Sequence, residues 1–217
     1  MFVGSRMKHP VITIGPKTSL DEALSLMNTE HIRRLPVVDN AGNLVGIVTE
    51  LDLLKASPSA ATSLSVWEIK SLLSSFPIER IMTREVYTVT EDMPLEDAAR
   101  IMLDKKIGGL PVVRGQSIVG IITETDIFKV FLEVLGAHEA GLRLTVALPK
   151  GPGVIAKLCQ SIFEIGGNIL SFGTFMGEDS KTDGAVLRVE GVEEKQLQKA
   201  IKPFVERVID IRECAGG

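Results

Sequence analysis

Two threonine–aspartate pairs have the residue types and spacing to do chemistry. Thr49 is followed by Asp52 and Thr123 by Asp126, each inside the pattern Gly-hydrophobic-hydrophobic-Thr-x-x-Asp. A threonine hydroxyl can donate to a phosphate oxygen. An ionised aspartate only accepts, so it can take hydrogen bonds from two vicinal hydroxyls, as on a ribose. If each pair opens a helix, unpaired N–H groups and the helix dipole add an attraction for anions. The same spacing also makes a capping box, with threonine as N-cap and the acid at N3. On the residues alone, the cap and the ligand readings both stand.

The elements that must position these pairs are written twice. Leu35-Pro36-Val37-Val38 recurs as Leu110-Pro111-Val112-Val113 at an offset of 75, and Gly46 to Asp52 recurs as Gly120 to Asp126 at an offset of 74. The lost residue falls in the turn, where Asp39 to Asn43 faces the shorter Arg114 to Ser117. Met7, Thr13, Leu20, Ala23 and Met27 map onto Met82, Thr88, Leu95, Ala98 and Met102. A duplicated unit can pack against its copy about a pseudo-twofold axis, so a cleft made by one copy would occur twice.

Within the first copy, Val11 to Ile14 is a short β-branched run. Ser19 and Glu22 have capping-box spacing. Leu20, Ala23, Leu24 and Met27 then form the apolar stripe of a helix. Leu35 to Val38 and Leu44 to Val48 read as strands around a turn, and Leu51 to Lys55 opens a second helix. The second copy repeats this order, with Pro94 at the first position of its helix. Between the copies, Ser57 to Ser63 reads as loop and Ser65 to Leu73 as a helix that Pro77 ends. Trp67, the single tryptophan, is expected to anchor that helix to a core.

The copies differ just before Leu-Pro-Val-Val. The first has His31-Ile32-Arg33-Arg34, the second Lys106-Ile107-Gly108-Gly109. Arg33 and Arg34 either read phosphate through charge-assisted bonds or form a solvated basic corner. The two glycines are expected to give a ligand access to the backbone. Two equivalent clefts are not expected.

In combination, Met-x-x-x-Val-x-Thr-hydrophobic, the Leu-x-x-Ala helix, Leu-Pro-Val-Val and Gly-hydrophobic-hydrophobic-Thr-x-x-Asp resemble a CBS domain, over Met7 to Lys55 and again over Met82 to Leu135. The resemblance implies a pair whose two clefts bind adenosine-containing ligands. Thr49 and Thr123 would then meet phosphate, and Asp52 and Asp126 ribose. Adenine would lie among Ile14, Ile32, Val89 and Ile107, and Arg33 and Arg34 would face the shared phosphate region.

After Leu135 the pattern changes. A strand over Leu142 to Leu148, a tight loop at Pro149 to Gly153 and a helix carrying Ile155, Leu158, Cys159 and Ile162 come first. Strands over Asn168 to Met176 and Ala185 to Glu190, a helix over Glu193 to Lys202 and a last strand over Val205 to Ile211 complete β-α-β-β-α-β, a ferredoxin-like order. This unit resembles an ACT domain, a small-effector module. Such domains usually carry Asp-x-Pro-Gly before the first helix; here Lys150-Gly151-Pro152-Gly153 keeps the Pro-Gly and lacks the acid. Gly153 and Asn168 remain the effector candidates, against their simpler roles in a turn and after a helix stop. A dimerising role is expected of this unit.

The expected fold class is α+β: two CBS repeats packed as a pseudo-twofold pair, then the ACT-like unit. The expected boundaries are 1–57, a linker over 58–80, 81–135, a connector over 136–141, and 142–217. With net charge −4 and 24 Lys plus Arg in no basic run, nucleic-acid binding is not expected. Neither a signal peptide nor a membrane-spanning stretch is visible, and two cysteines without a Cys-x-x-Cys fit a reducing cytoplasm. Cys159 reads as packing; the histidines lack zinc-ligand spacing. No Gly-x-Ser-x-Gly or phosphate-binding Walker loop is present, so no enzyme and no catalytic cofactor are expected. The order CBS, CBS, ACT, with Ser65 to Leu73 between, resembles the AcuB family. That resemblance implies a nonenzymatic regulator sensing adenine nucleotide, a homodimer, and a link to acetoin metabolism, with a protein partner left open. The rival readings are an amino-acid sensor with a structural CBS pair, and an enzyme with an unrecognised site.

Overall fold

The computed structural model describes residues 1–58, 65–177 and 181–216. They fall into two units, Met1–Ile127 and Phe128–Gly217. Residues 59–63 of the expected inter-repeat loop, and residues 178–180 between two expected strands, lie outside the described residues.

In the first unit, helix α1 (Leu20–Thr29) opens on a complete capping box. Ser19 Oγ accepts from the Glu22 N–H at 3.2 Å, and the Glu22 carboxylate accepts from the Ser19 N–H at 2.9 Å. Its stripe of Leu20, Ala23 and Met27 is buried. Strands β1 (Arg34–Val38) and β2 (Leu44–Thr49) pair antiparallel, with Leu35 opposite Val48. Asp39 Oδ1 holds their turn by accepting from the N–H groups of Ala41 and Asn43 at 2.9 and 2.8 Å. Helix α2 is Glu50–Ala56 and α3, capped by Ser65, is Val66–Ser75. The second repeat supplies α4 (Leu95–Lys105), β3 (Gly109–Arg114), β4 (Ser117–Thr123) and α5 (Glu124–Val134), whose C-terminal part belongs to the second unit. Pro94 is the N-cap of α4, one residue before the expected place.

Each repeat borrows the opening segment of the other. The N–H groups of Val3 and Gly4 donate to the carbonyls of Met93 and Glu91, and Lys8 bridges to Ile121 of β4. Conversely, Ile47 of β2 bridges to Thr83, and Ile78 lies in the core of the first repeat with Leu20, Leu35 and Leu53. Two glycines allow the approach. A β-carbon at Gly46 would stand 2.6 Å from Met82 Sδ, and one at Gly120 would collide with Met7 Sδ.

The β-branched run Val11 to Ile14 pairs only at Ile14, in a single parallel bridge to Val37. One expectation differs from what forms. Trp67 is 82% exposed and anchors nothing, while Leu73 and Phe76 pack α3 on the first core. An amphipathic ring on a short helix does not have to be its buried face.

The second unit is a four-stranded antiparallel sheet of β5 (Gly141–Pro149), β6 (Asn168–Met176), β7 (Thr182–Glu190) and β8 (Arg207–Cys214), in the order β6-β7-β5-β8. Helices α6 (Val154–Glu164) and α7 (Glu194–Ile201) cover one face, with Leu158, Ile162, Leu197 and Ile201 buried against Leu144, Val146 and Leu187. Strand alternation puts those residues inward. This is the ferredoxin-like order read from the sequence.

Candidate functional site

The threonine–aspartate pairs stand where each returning strand becomes a helix. Thr49 is the N-cap of α2: its Oγ1 accepts from the Asp52 N–H at 3.3 Å, and Asp52 Oδ2 accepts from the Thr49 N–H at 2.9 Å. Thr49 Oγ1 and Asp52 Oδ2 are 2.6 Å apart. Because a carboxylate only accepts, the threonine hydroxyl donates its one proton there. The second repeat keeps the two bonds to the carboxylate, with Asp126 Oδ2 3.0 Å from the Thr123 N and 2.6 Å from its Oγ1. In both copies one carboxylate oxygen ties the threonine N–H and hydroxyl, and in the first the Asp52 N–H closes the full capping box. A phosphate at either threonine would compete with the aspartate for that proton.

Two clefts open in the first unit, and each draws on both repeats. The first, about 310 Å³, combines Val11, Ile12 and Ile32 of the first repeat with Ile121, Thr123 and Thr125 of the second. The second, about 440 Å³, combines Val86, Tyr87 and Ile107 of the second repeat with Ile47, Thr49 and Leu51 of the first. Both volumes suit a small molecule. Arg33 and Arg34 line both.

The structure thus gathers Ile32, Thr123, Arg33 and Arg34 in one cleft, and Ile107, Thr49, Arg33 and Arg34 in the other. Ile14 and Val89 are corrected: they are 7% and 2% exposed, packed in the cores, and line neither cleft. Their bridges, to Val37 and Val112, turn them inward and leave Val11, Ile12, Val86 and Tyr87 as the apolar lining. Asp52 and Asp126 stand behind their threonines and are not part of the lining; Asp126 is buried at 5%. Sequence reasoning missed Lys8 in the first cleft and Glu50, Glu85, Lys106 and Glu124 in the second. The offset of 75 sets Lys8 against Thr83 and Pro10 against Glu85, differences in charge between the copies that could have marked both positions.

Arg33 is exposed, but Arg34 is not a solvated corner. Its guanidinium crosses to the second repeat and lies on Gly108 and Gly109 beside the Glu124 carboxylate. Burial pulls its pKa down from the ordinary arginine value; Glu124 opposes that fall and Arg33 adds to it. The two glycines are there, sterically, for Arg34.

In the second unit, Gly153 is the N-cap of α6 at a φ of 78°, a conformation that favours glycine. Asn168 Nδ2 donates to Glu190 Oε1 across the β6–β7 pair at 2.7 Å. A shallow hollow nearby is lined by Gly151, Ile155, Thr174 and Met176, and by neither candidate. Cys159 is half-buried, and burial pushes its thiol pKa up, away from the thiolate. Among the described residues no cluster of His, Cys, Asp or Glu could hold a metal ion, and no helix is long and apolar enough to cross a membrane.

Comparison with known proteins agrees with this architecture. The CBS domain model matches residues 3–59 and 78–133, and a TTHA0829-like ACT domain model matches residues 140–212. The chain belongs to the CBS domain family, as a tandem pair followed by an ACT-like domain. It resembles a putative acetoin utilization protein, AcuB, from Vibrio cholerae. Identity is 32% and TM-score 0.53, over 63% of this chain and 93% of that one. The CBS domain pair of protein MJ0100 in complex with 5′-methylthioadenosine and S-adenosyl-L-methionine is 35% identical, at TM-score 0.51, over 60% of this chain and 95% of that one. CBSX2 in complex with AMP, from Arabidopsis thaliana, is 32% identical, at TM-score 0.50, over 61% and 97%. An uncharacterized protein of Methanocaldococcus jannaschii, MJ1404, is 40% identical over 126 residues, which are 57% of this chain and only 30% of that protein.

Proposed function

We propose that the protein is a nonenzymatic, cytoplasmic regulator whose CBS pair senses adenine nucleotides and passes its state to the ACT-like unit or to a protein partner, as in an AcuB-like role in acetoin or carbon metabolism. The observation that carries the reading is the convergence of Arg33 and Arg34 with a threonine hydroxyl and an apolar wall in each of two clefts. Guanidiniums bind phosphate, the hydroxyl can donate to it, and the apolar wall takes the base. The solved CBS pairs with adenosine compounds and with AMP support the same ligand class. Sensing requires that the ligand bind two arrangements of the repeats with different affinity.

The test is calorimetry with AMP, ADP and ATP on protein stripped of bound ligand. Heat with saturation supports the reading; no heat and no change in melting temperature for any of the three overturns it. The assembly is proposed to be a homodimer, because β6 and β8 leave both sheet edges of the second unit open. Light scattering should give about twice the 23.5 kDa chain mass, and a monomer at high micromolar concentration would refute this.

A further inference from the structure

The two clefts differ in charge, and the difference survives removing what they share. Arg33 and Arg34 line both. Beyond them the first cleft adds Lys8 and no carboxylate. The second adds Lys106 together with Glu50, Glu85 and Glu124.

Aligned through the offset of 75, the asymmetry has a residue basis. Lys8 corresponds to Thr83, and Pro10 to Glu85, so the second cleft is made more negative at both positions. Ile12 corresponds to Tyr87, a half-exposed aromatic ring with the Lys105 ammonium 5.1 Å from its centroid. At the offset of 74 that holds beyond the turn, Glu124 corresponds to Glu50, yet both lie along the second cleft. Glu124 and the Arg34 guanidinium meet over Gly108, so their charges offset one another there. Arg33 and Lys106 share the rest of the lining with Glu50 and Glu85. A phosphate chain entering this cleft meets carboxylates as well as cations, whereas in the first cleft it meets cations alone.

We propose that the clefts divide adenosine compounds by charge. The cleft bearing Lys8 takes the phosphorylated nucleotide. The cleft bearing Glu85 takes an adenosine compound without phosphate, whose 5′ substituent carries both a positive and a negative group. This rests on the adenine-binding reading above and assigns each cleft its own ligand class. A zwitterionic chain satisfies Glu50 and Glu85 with its cation and Arg33 and Lys106 with its anion. One chain would then report two metabolic quantities, a phosphorylation state and the level of a nonphosphorylated adenosine compound.

Lys8 and Glu85 are the diagnostic positions, because each lines one cleft only and both side chains are exposed. The experiment is calorimetry on the stripped full chain with AMP, adenosine and S-adenosylhomocysteine, the last as the zwitterionic probe. Wild type, Lys8→Ala and Glu85→Gln are compared, with melting temperatures as the check on folding. AMP is expected to fill one site per chain. Lys8→Ala should weaken it roughly tenfold, about the effect of one lost charge-assisted contact. Glu85→Gln should leave that site alone and admit a second AMP. S-adenosylhomocysteine should fill one site per chain that Glu85→Gln weakens and Lys8→Ala does not. Two equal AMP sites in the wild type, or equal responses of AMP to both substitutions, would overturn the division while leaving adenine binding in place. If adenosine, AMP and the probe all fail to bind, the underlying reading falls and the division with it.

Discussion

The guanidinium of Arg34 fills the space that a side chain at Gly108 would need. A β-carbon there would run into Arg34 Nη2 and would stand 2.7 Å from Glu124 Oε2. One repeat thus supplies the arginine and the other the gap that receives it, at the position where both clefts meet.

Gly108→Ala should therefore destabilise the first unit by about 1–3 kcal/mol through overpacking. The same substitution in an Arg34→Ala background should cost less, since the nearer of the two clashing groups is gone and only Glu124 remains. The coupling, read from urea unfolding of the four members of a double-mutant cycle, should be about 0.5–3 kcal/mol. A cost unchanged by Arg34→Ala would mean that something other than the guanidinium fills the gap.

The threonine–aspartate bonds make a second prediction. Thr49→Val or Thr123→Val removes the hydroxyl that engages the aspartate, and each should lose about 1 kcal/mol of stability. Serine at either position should restore most of it. Asp126→Ala strips both of its bonds to Thr123. If ribose also reads this carboxylate, adenosine affinity should fall by about 1.5–3 kcal/mol. Unchanged adenosine affinity in a folded Asp126→Ala protein would leave Asp126 with the cap alone.

Arg33 separates phosphate reading from folding, because it is exposed while lining both clefts. Arg33→Ala should keep the melting temperature and weaken ATP more than adenosine. Dissociation constants for adenosine, AMP, ADP and ATP check this. A uniform factor across all four would show that Arg33 does not read phosphate.

Acid should unfold the protein progressively. Hydrogen bonds from Ser19 hold the Glu22 carboxyl below its ordinary pKa, those from Ser65 do so for Glu68, those from Asn43 for Asp39, and the Arg212 side chain for Asp210. A lowered folded pKa contributes stability that is complete above the unfolded value, about 3.9–4.3, and is lost as pH falls through the folded value. Melting temperature should thus be flat near neutrality and drop below about pH 4. Glu22→Gln, which removes one of these titrations, should make the drop shallower; an identical slope would show that the Ser19 box does not contribute.

Much of this was legible in the residues, and the limits were physical. Ser19 with Glu22 and Thr49 with Asp52 are local patterns, so their caps could be read from spacing. The β-α-β-β-α-β order followed from alternation in strands such as Leu142 to Leu148. Ile14 and Val89 were misplaced because a single bridge carries no alternation by which to assign faces. Arg34 on Gly108 is a contact between repeats, and nothing in the spacing of either residue encodes it. The mixed parentage of each cleft was hidden for the same reason. Trp67 shows the opposite error, since a large ring was credited with burial that Leu73 and Phe76 supply.

The exchanged opening segments mean that the repeat visible in the sequence and the piece that folds are not the same object. The chain ahead of Lys8 finishes the later repeat, and the chain from Phe76 to Thr83 finishes the earlier one. A gene divided between the repeats would give each product its sibling's edge and deprive it of its own. Produced together, the halves would complement one another; produced singly, each would be short of backbone partners. Trimming a few residues from the start, a routine step in making a tidy expression clone, would be felt at Glu91, Met93 and Ile121.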